Sequence, residues 1–240
     1  MKRLLSALVL SVGLSTFSFG QAFVPPFEVF SGSKLAYITL EDGTMLEGTI
    51  HDIDRRKGLI EEITIKDTTN KKVKLTADKI KYMYLPPSNF AKYAAADDYL
   101  MKANKWGRGE LNKDILKKGY AYFEKSKVKL RKSEEELLLQ LLNPATSNRI
   151  RVYHDPLAQE TNGVNMSGIQ LSGGEDRSYF VKIGDKPAFK LLKKNYDDEF
   201  ANLYGDCPTF IQKANRKIKW ADFDQHVADY TTECGLVSQK

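Results

Sequence analysis

Residues 34–85 alternate between apolar and polar positions in short runs separated by turn-forming clusters, which is the signature of successive β-strands. Leu35, Tyr37 and Leu40, with Ile38 among them, lead into the turn Glu41-Asp42-Gly43, where glycine supplies a positive φ. A second run covers Met45 through Ile53, and Arg55-Arg56-Lys57-Gly58 breaks it. Ile60, Ile63 and Ile65 carry the third run, which Asp67-Thr68-Thr69-Asn70 closes, and Val73-Lys74-Leu75 and the stretch Ile80 to Leu85 complete the set before Pro86-Pro87. Five short strands at this spacing predict a small curled sheet or barrel, with Gly48 marking a bend inside the second.

The pattern then changes. Residues 88–105 read as a linking helix with Phe90, Tyr93, Ala94, Leu100 and Met101 on one side, and Trp106-Gly107-Arg108-Gly109 ends it. From Tyr120 to Arg131 the period of two returns, with Tyr122, Ser126, Val128 and Leu130 on one face and Phe123, Lys125, Lys127, Lys129 and Arg131 on the other. Ser133 and Glu136 have capping-box spacing, Glu134 and Glu135 suit the positive end of a helix dipole, and Leu137, Leu138, Leu139, Leu141 and Leu142 follow. A buried helix over 133–143, stopped by Pro144, is therefore predicted.

Residues 149–154 read as a strand, and 178–183 with 187–192 as a hairpin around Gly184-Asp185. The polar stretch 155–177, with Asn162, Gly163, Asn165, Gly168, Gly173 and Gly174, has little periodicity and is long for a loop in a compact domain, so it reads as a functional or mobile loop. The C-terminal region is helical. Asn195 is placed to cap a helix to Tyr204, Cys207-Pro208 starts a second with Phe210, Ile211, Ala214 and Ile218 on one face, and Trp220, Phe223, Val227, Tyr230 and Cys234 mark a third.

Cys207 and Cys234 are the only cysteines. They stand at the start of one helix and the end of the next, positions that an antiparallel hairpin brings together. A disulfide is expected, worth about 3–4 kcal/mol by the chain-entropy argument. Two buried thiols are the alternative, and a metal site would need further nearby ligands that the sequence does not place there.

The N-terminus bears on compartment. Met1-Lys2-Arg3, an uncharged run from Leu4 to Phe19, and the small residues around Gly20-Gln21-Ala22 have the order of a secretory signal peptide, so residues 1–22 are expected to be removed on export. No other run approaches the length of a membrane-spanning helix. The formal charge of +6 includes Lys2 and Arg3, leaving 6 − 2 = +4 for the remainder. Residues 86–147, with twelve basic and eight acidic side chains, account for all of it. This local excess is far weaker than the basic footprint of a nucleic-acid-binding domain, and no nucleic-acid partner is expected.

Candidate chemistry is sparse. Lys125, Lys127, Lys129 and Arg131 form a possible anion-binding ridge, although lysine is also the usual guard of a strand edge. His51, His154 and His226 lie in unrelated segments without metal-site spacing. Ser167 and Ser172 lack the nucleophile-elbow pattern, and the glycine-rich stretch lacks the Lys and Ser/Thr of a phosphate loop. Glu160, Glu175 and Asp176 are the acidic residues that could pair across the long loop for acid–base work. No catalytic, cofactor-binding or metal residue is assigned.

Two resemblances follow. The stretch from Tyr37 to Ile50, a strand, an Asp-Gly turn and a bent second strand, resembles small SH3-like and Sm-like β-barrels. The Asn-bearing RNA loop of the Sm-like proteins is replaced here by Asp52-Ile53-Asp54-Arg55, so RNA binding is not carried over. The second half resembles exported Bacteroidetes-type proteins of unknown function, through Asn143-Pro144, Arg151-Val152-Tyr153-His154-Asp155-Pro156, Tyr179-Phe180-Val181-Lys182, and Gly205-Asp206-Cys207-Pro208 leading to Tyr230 and Cys234. That resemblance implies a compartment and a paired-cysteine helical end, and no chemistry.

The expected fold is α+β. It comprises a small β-barrel-like domain at 23–87, a helical linker at 88–110, and an α+β domain at 111–240 ending in a disulfide-linked helical pair. The expected function is a non-catalytic binding or interaction protein of the bacterial envelope, exported to the periplasm, outer surface or medium, with an envelope, glycan or protein partner. A secreted hydrolase acting on glycan or peptide, or a structural part of an envelope assembly, are the alternatives.

Overall fold

The computed structural model describes residues 23–89, 111–130, 132–158, 160–161, 164–166, 169–172, 175–214 and 218–234. The expected leader, the linker helix beyond Asn89, and Arg131 lie outside the described residues.

The five strands expected in the first segment are present: β1 (Leu35–Leu40), β2 (Met45–Arg56), β3 (Leu59–Lys66), β4 (Lys72–Thr76) and β5 (Ile80–Leu85). They pair in the order β4-β3-β2-β1-β5, antiparallel throughout. Alternate positions put Ala36, Ile38, Ile63 and Ile65 into one apolar core, as the period of two requires, and Ile80 and Met83 join it on either side of a register shift between β1 and β5. At Gly48 a Cβ would lie 2.3 Å from the Lys66 carbonyl oxygen, so only glycine lets β2 approach β3 this closely.

The second half begins with a short helix, α1 (Lys113–Lys117), which is too short to show a helical period in the sequence. Asn112 caps it, its Oδ1 accepting from the Asp114 and Ile115 amides. Then follow β6 (Ala121–Lys129), β7 (Glu134–Gln140) and β8 (Ile150–His154). Beyond the polar excursion lie β13 (Ser178–Ile183) and β14 (Ala188–Leu192).

β7 corrects the helix expected over 133–143. Leu130 N donates to Ser133 O across a tight turn, and β7 then runs back along β6 in register from Lys129↔Glu134 to Phe123↔Gln140. Ser133 Oγ donates to Glu135 rather than capping a helix. A short unbroken apolar run is equally a helix buried all round or a strand buried on both faces. Here Leu138 enters the first core and Leu139 and Leu141 the second, so both faces are covered.

β6 joins the halves into one ten-stranded mixed sheet. Its first residues pair with β5 and its last, in parallel, with β14, while β7 lies along the other side. The path then closes on itself. Leu141 bridges Tyr153 and Leu142 N donates to Val152 O, tying the end of β7 to β8, which pairs with β13, which pairs with β14. The second half is thus a five-stranded barrel, β6-β7-β8-β13-β14, fused to the curled sheet through β5 and β6.

Outside this barrel pack α2 (Tyr196–Tyr204), α3 (Pro208–Ala214) and α4 (Phe223–Glu233). Their apolar faces meet Ile150, Val152, Val181 and Leu191 in a core rich in aromatic side chains. Asn195 precedes α2 without capping it, its Oδ1 accepting from the Leu192 amide. The disulfide joins Cys207 to Cys234, Cα–Cα 6.0 Å, across the helical hairpin as expected. An N-terminal arm, residues 23–31, straddles both halves. Phe23 packs 5.5 Å from Phe223, and Gln140 holds the arm through Phe27 N (2.8 Å) and Pro25 O (2.8 Å).

Candidate functional site

Alternation along the barrel strands directs Glu124, Ser126, Arg151, Tyr153 and Phe180 to the side away from the helices, and the polar residues there sort into clusters. Glu124 is the hub of the first. Arg151 Nη1 contacts both of its carboxylate oxygens, Tyr153 OH donates to Oε1 at 2.6 Å, and Tyr122 OH donates to Oε2 at 3.3 Å. The Tyr153 residue is 0% exposed, and burial beside this carboxylate holds its phenol protonated far above neutrality. The network is self-satisfying, with each charged group answered by a neighbour.

A second cluster sits where the polar excursion leaves the barrel. Asp155, 1% exposed, accepts from Ser178 Oγ at 2.7 Å and pairs with Lys190 Nζ at 2.6 Å, while its Oδ1 accepts from Leu157 N. Asp155 follows β8 and Ser178 opens β13, so this clasp closes the neck of the excursion.

The excursion, expected as a functional or mobile loop, carries short strands of its own. β9 (Glu160–Thr161) pairs with β12 (Glu175–Asp176), and β10 (Val164–Met166) with β11 (Ile169–Ser172), both antiparallel. Together with β8 and β13 they form one long interrupted hairpin, a β-ribbon rooted in the barrel. The strands are two to four residues long and the register shifts between Val164 and Asn165, so the segment shows no sustained alternation. In the ladder, Glu160 stands opposite Asp176, so two of the three acidic candidates face each other across the ribbon, while Glu175 stands opposite Thr161.

A third grouping lines a small cavity between the arm, the β2–β3 turn, β7 and β8. Arg55, His154, Glu28 and Gln140 border it, with Phe27, Leu59 and Pro156 among the apolar walls, and its free space suits a group the size of a water molecule. Gly58, at φ +78°, lies against Pro156, where a Cβ would come within 2.5 Å of the proline Cβ. This contact fixes the turn beside His154.

The lysine ridge has neighbours of opposite sign. Lys125 pairs with Glu41 Oε1 at 2.6 Å, and the exposed Lys127 and Lys129 stand opposite Glu136 and Glu134 in the β6–β7 register. The three histidines do not converge into a metal site, and no group of His, Cys, Asp or Glu among the described residues has metal-binding geometry. His51 is exposed on β2. His226 is 7% exposed with its Nδ1 2.7 Å from Tyr196 OH.

Both enclosed histidines favour the neutral form. Burial lowers the pKa of His226, and burial, with Arg55 nearby, pushes His154 down to about 4, against the opposing pull of Asp155. The unfolded chain binds a proton at each of these histidines as pH falls through about 6.5, whereas the folded chain does not until lower pH. Stability is therefore full above that value, declines below it, and levels off near the folded pKa. His154 alone contributes a loss of about 2 kcal/mol between pH 7 and pH 5. Urea unfolding at the two pH values checks this, and His154→Gln is expected to flatten the decline. An unchanged slope in that variant would assign the effect elsewhere.

These geometries define an α+β protein with a mixed ten-stranded sheet, a disulfide-bonded helical end and a ribbon springing from a polar clasp. No family model, curated protein or solved structure matches the chain. Among the described residues no helix is long and apolar enough to cross a membrane.

Proposed function

We propose that the chain is an exported, non-catalytic interaction protein of the bacterial envelope, and that the β-ribbon of residues 155–178 presents its partner contact. The observation that carries this reading is the ribbon's construction. A polar two-stranded extension, unlike the compact loops that usually join strands, leaves a closed barrel through the buried Asp155–Ser178–Lys190 clasp. A two-stranded ribbon on its own is marginal in water, and a partner bound along it would add the packing that stabilises it. The disulfide fits an oxidising compartment, in line with the leader-like N-terminus. The most enclosed carboxylates, Glu124 and Asp155, are each engaged by neighbouring side chains, an arrangement that suits scaffolding more than turnover.

The test compares the full chain with a form in which residues 162–174 are replaced by an Asn-Gly turn joining Thr161 to Glu175, which are already paired. Crosslinked material is recovered from native envelopes. At least about tenfold lower recovery of a specific partner with the shortened chain is expected, the loss of roughly 1.4 kcal/mol of binding. Equal recovery with both chains, in samples of matched unfolding midpoint, would overturn the assignment of the ribbon.

A further inference from the structure

The N-terminal arm is held by the rest of the fold in the way a groove holds an extended peptide. Its backbone bonds to groups elsewhere in the chain: Val24 N donates to Leu142 O at 2.7 Å, Ser88 N to Val29 O at 3.0 Å, and Arg55 Nη2 to Glu28 O at 3.2 Å. Gln140, 3% exposed, accepts from Phe27 N and donates to Pro25 O, both at 2.8 Å, so one buried amide grips two peptide groups of the arm. Aromatic seats add a sequence requirement. Phe23 packs edge-on against Tyr179 (5.8 Å) and Phe223 (5.5 Å), Phe27 enters the first core, and Phe30 lies 5.9 Å from Phe123. Pro25-Pro26 stiffens the segment, so little conformational freedom is lost when it docks. The tether to β1 differs in kind. Gly32, Ser33 and Lys34 are exposed, and their side-chain bonds, Ser33 to Ser31 and Lys34 to Asn89, lie at the surface.

We propose that this groove is a recognition site for the arm of a second copy of the chain, and that two copies exchange arms reciprocally into a closed pair. Each contact named for residues 23–30 joins the arm to the body and none joins it to itself, so the same set forms when the body belongs to another copy. Exchange places new demands on the exposed tether alone. A copy's own arm competes through its high local concentration, so the single copy prevails when dilute and the pair when concentrated. The pair carries two ribbons, which gives a partner with repeated sites two points of attachment. The groove is distinct from the ribbon, and the exchange stands whether or not the ribbon is the partner contact.

Two full-length variants test this by complementation. Gln140→Leu leaves Phe27 N and Pro25 O without their partner and so frees an intact arm, while Phe23→Ala with Phe27→Ala empties an intact groove. Each chain alone is expected to be monomeric by light scattering. An equimolar mixture is expected to form a complex of twice that mass, because arm and groove then meet only between copies. A free peptide of residues 23–31 should raise the Tm of the emptied chain and bind it at least about tenfold more tightly than it binds wild type, whose own arm competes. A mixture that stays monomeric while both chains are folded, or a peptide that binds emptied and wild-type chains equally, would overturn the exchange. If the emptied chain does not fold by itself, excess peptide should restore its folding, and no recovery overturns the site as well.

Discussion

Glu124→Ala is expected to destabilise the fold by about 3 kcal/mol, the range for removing one partner of an enclosed ion pair. The substitution leaves the Arg151 guanidinium, whose side chain is only 29% exposed, without its carboxylate, and leaves the Tyr153 hydroxyl without an acceptor inside the barrel. Glu124→Gln retains an oxygen at nearly the same place and should lose roughly half as much, since a neutral acceptor still answers Tyr153. Replacing both members, Glu124→Leu with Arg151→Met, should recover much of the loss, because no charge is then left stranded. Urea midpoints of the four chains measure this. A loss below about 1 kcal/mol for Glu124→Ala would place the pair among solvated surface bridges.

Removing the disulfide by Cys207→Ser with Cys234→Ser is expected to lower stability by about 3–4 kcal/mol, because the bond closes a loop with a sequence separation of 27 in the unfolded chain. The effect should be concentrated in α3 and α4. Their remaining ties to the barrel are aromatic packing and polar contacts, among them the hydrogen bonds from Tyr230 OH to Asp206, which also pairs with Arg149. Hydrogen exchange of reduced against oxidised protein separates a local from a global effect. Protection lost in α3 and α4 while β6 and β8 stay protected is the expected pattern. Unchanged midpoints would mean that packing alone sets the hairpin.

The polar sites were only partly readable from the residues. Each cysteine lay at a helix end, and hairpin geometry then leaves little choice of pairing. Glu124, Arg151 and Tyr153 come from strands paired with different neighbours, and nothing local to any of them announces the others. Asp155, Ser178 and Lys190 are as scattered, and their clasp exists only because the ribbon brings its two ends together. The Arg55–His154 cavity needs the β2–β3 turn to dock on Pro156, a contact between residues almost one hundred positions apart.

Residue order by itself determined the strand set of 34–85, the β13–β14 hairpin, the C-terminal helices and the cysteine pair, because periodicity and turn chemistry act over a few neighbouring positions. Tertiary structure alone decided that the leucine run of 137–142 is a strand. Leucine tolerates either conformation, and the partner strand β6, with lysines opposite Glu134 and Glu136, supplied the selection. It also decided the barrel closure and the internal ladder of the ribbon, since pairing between distant segments depends on which edges remain free once the rest of the sheet has formed.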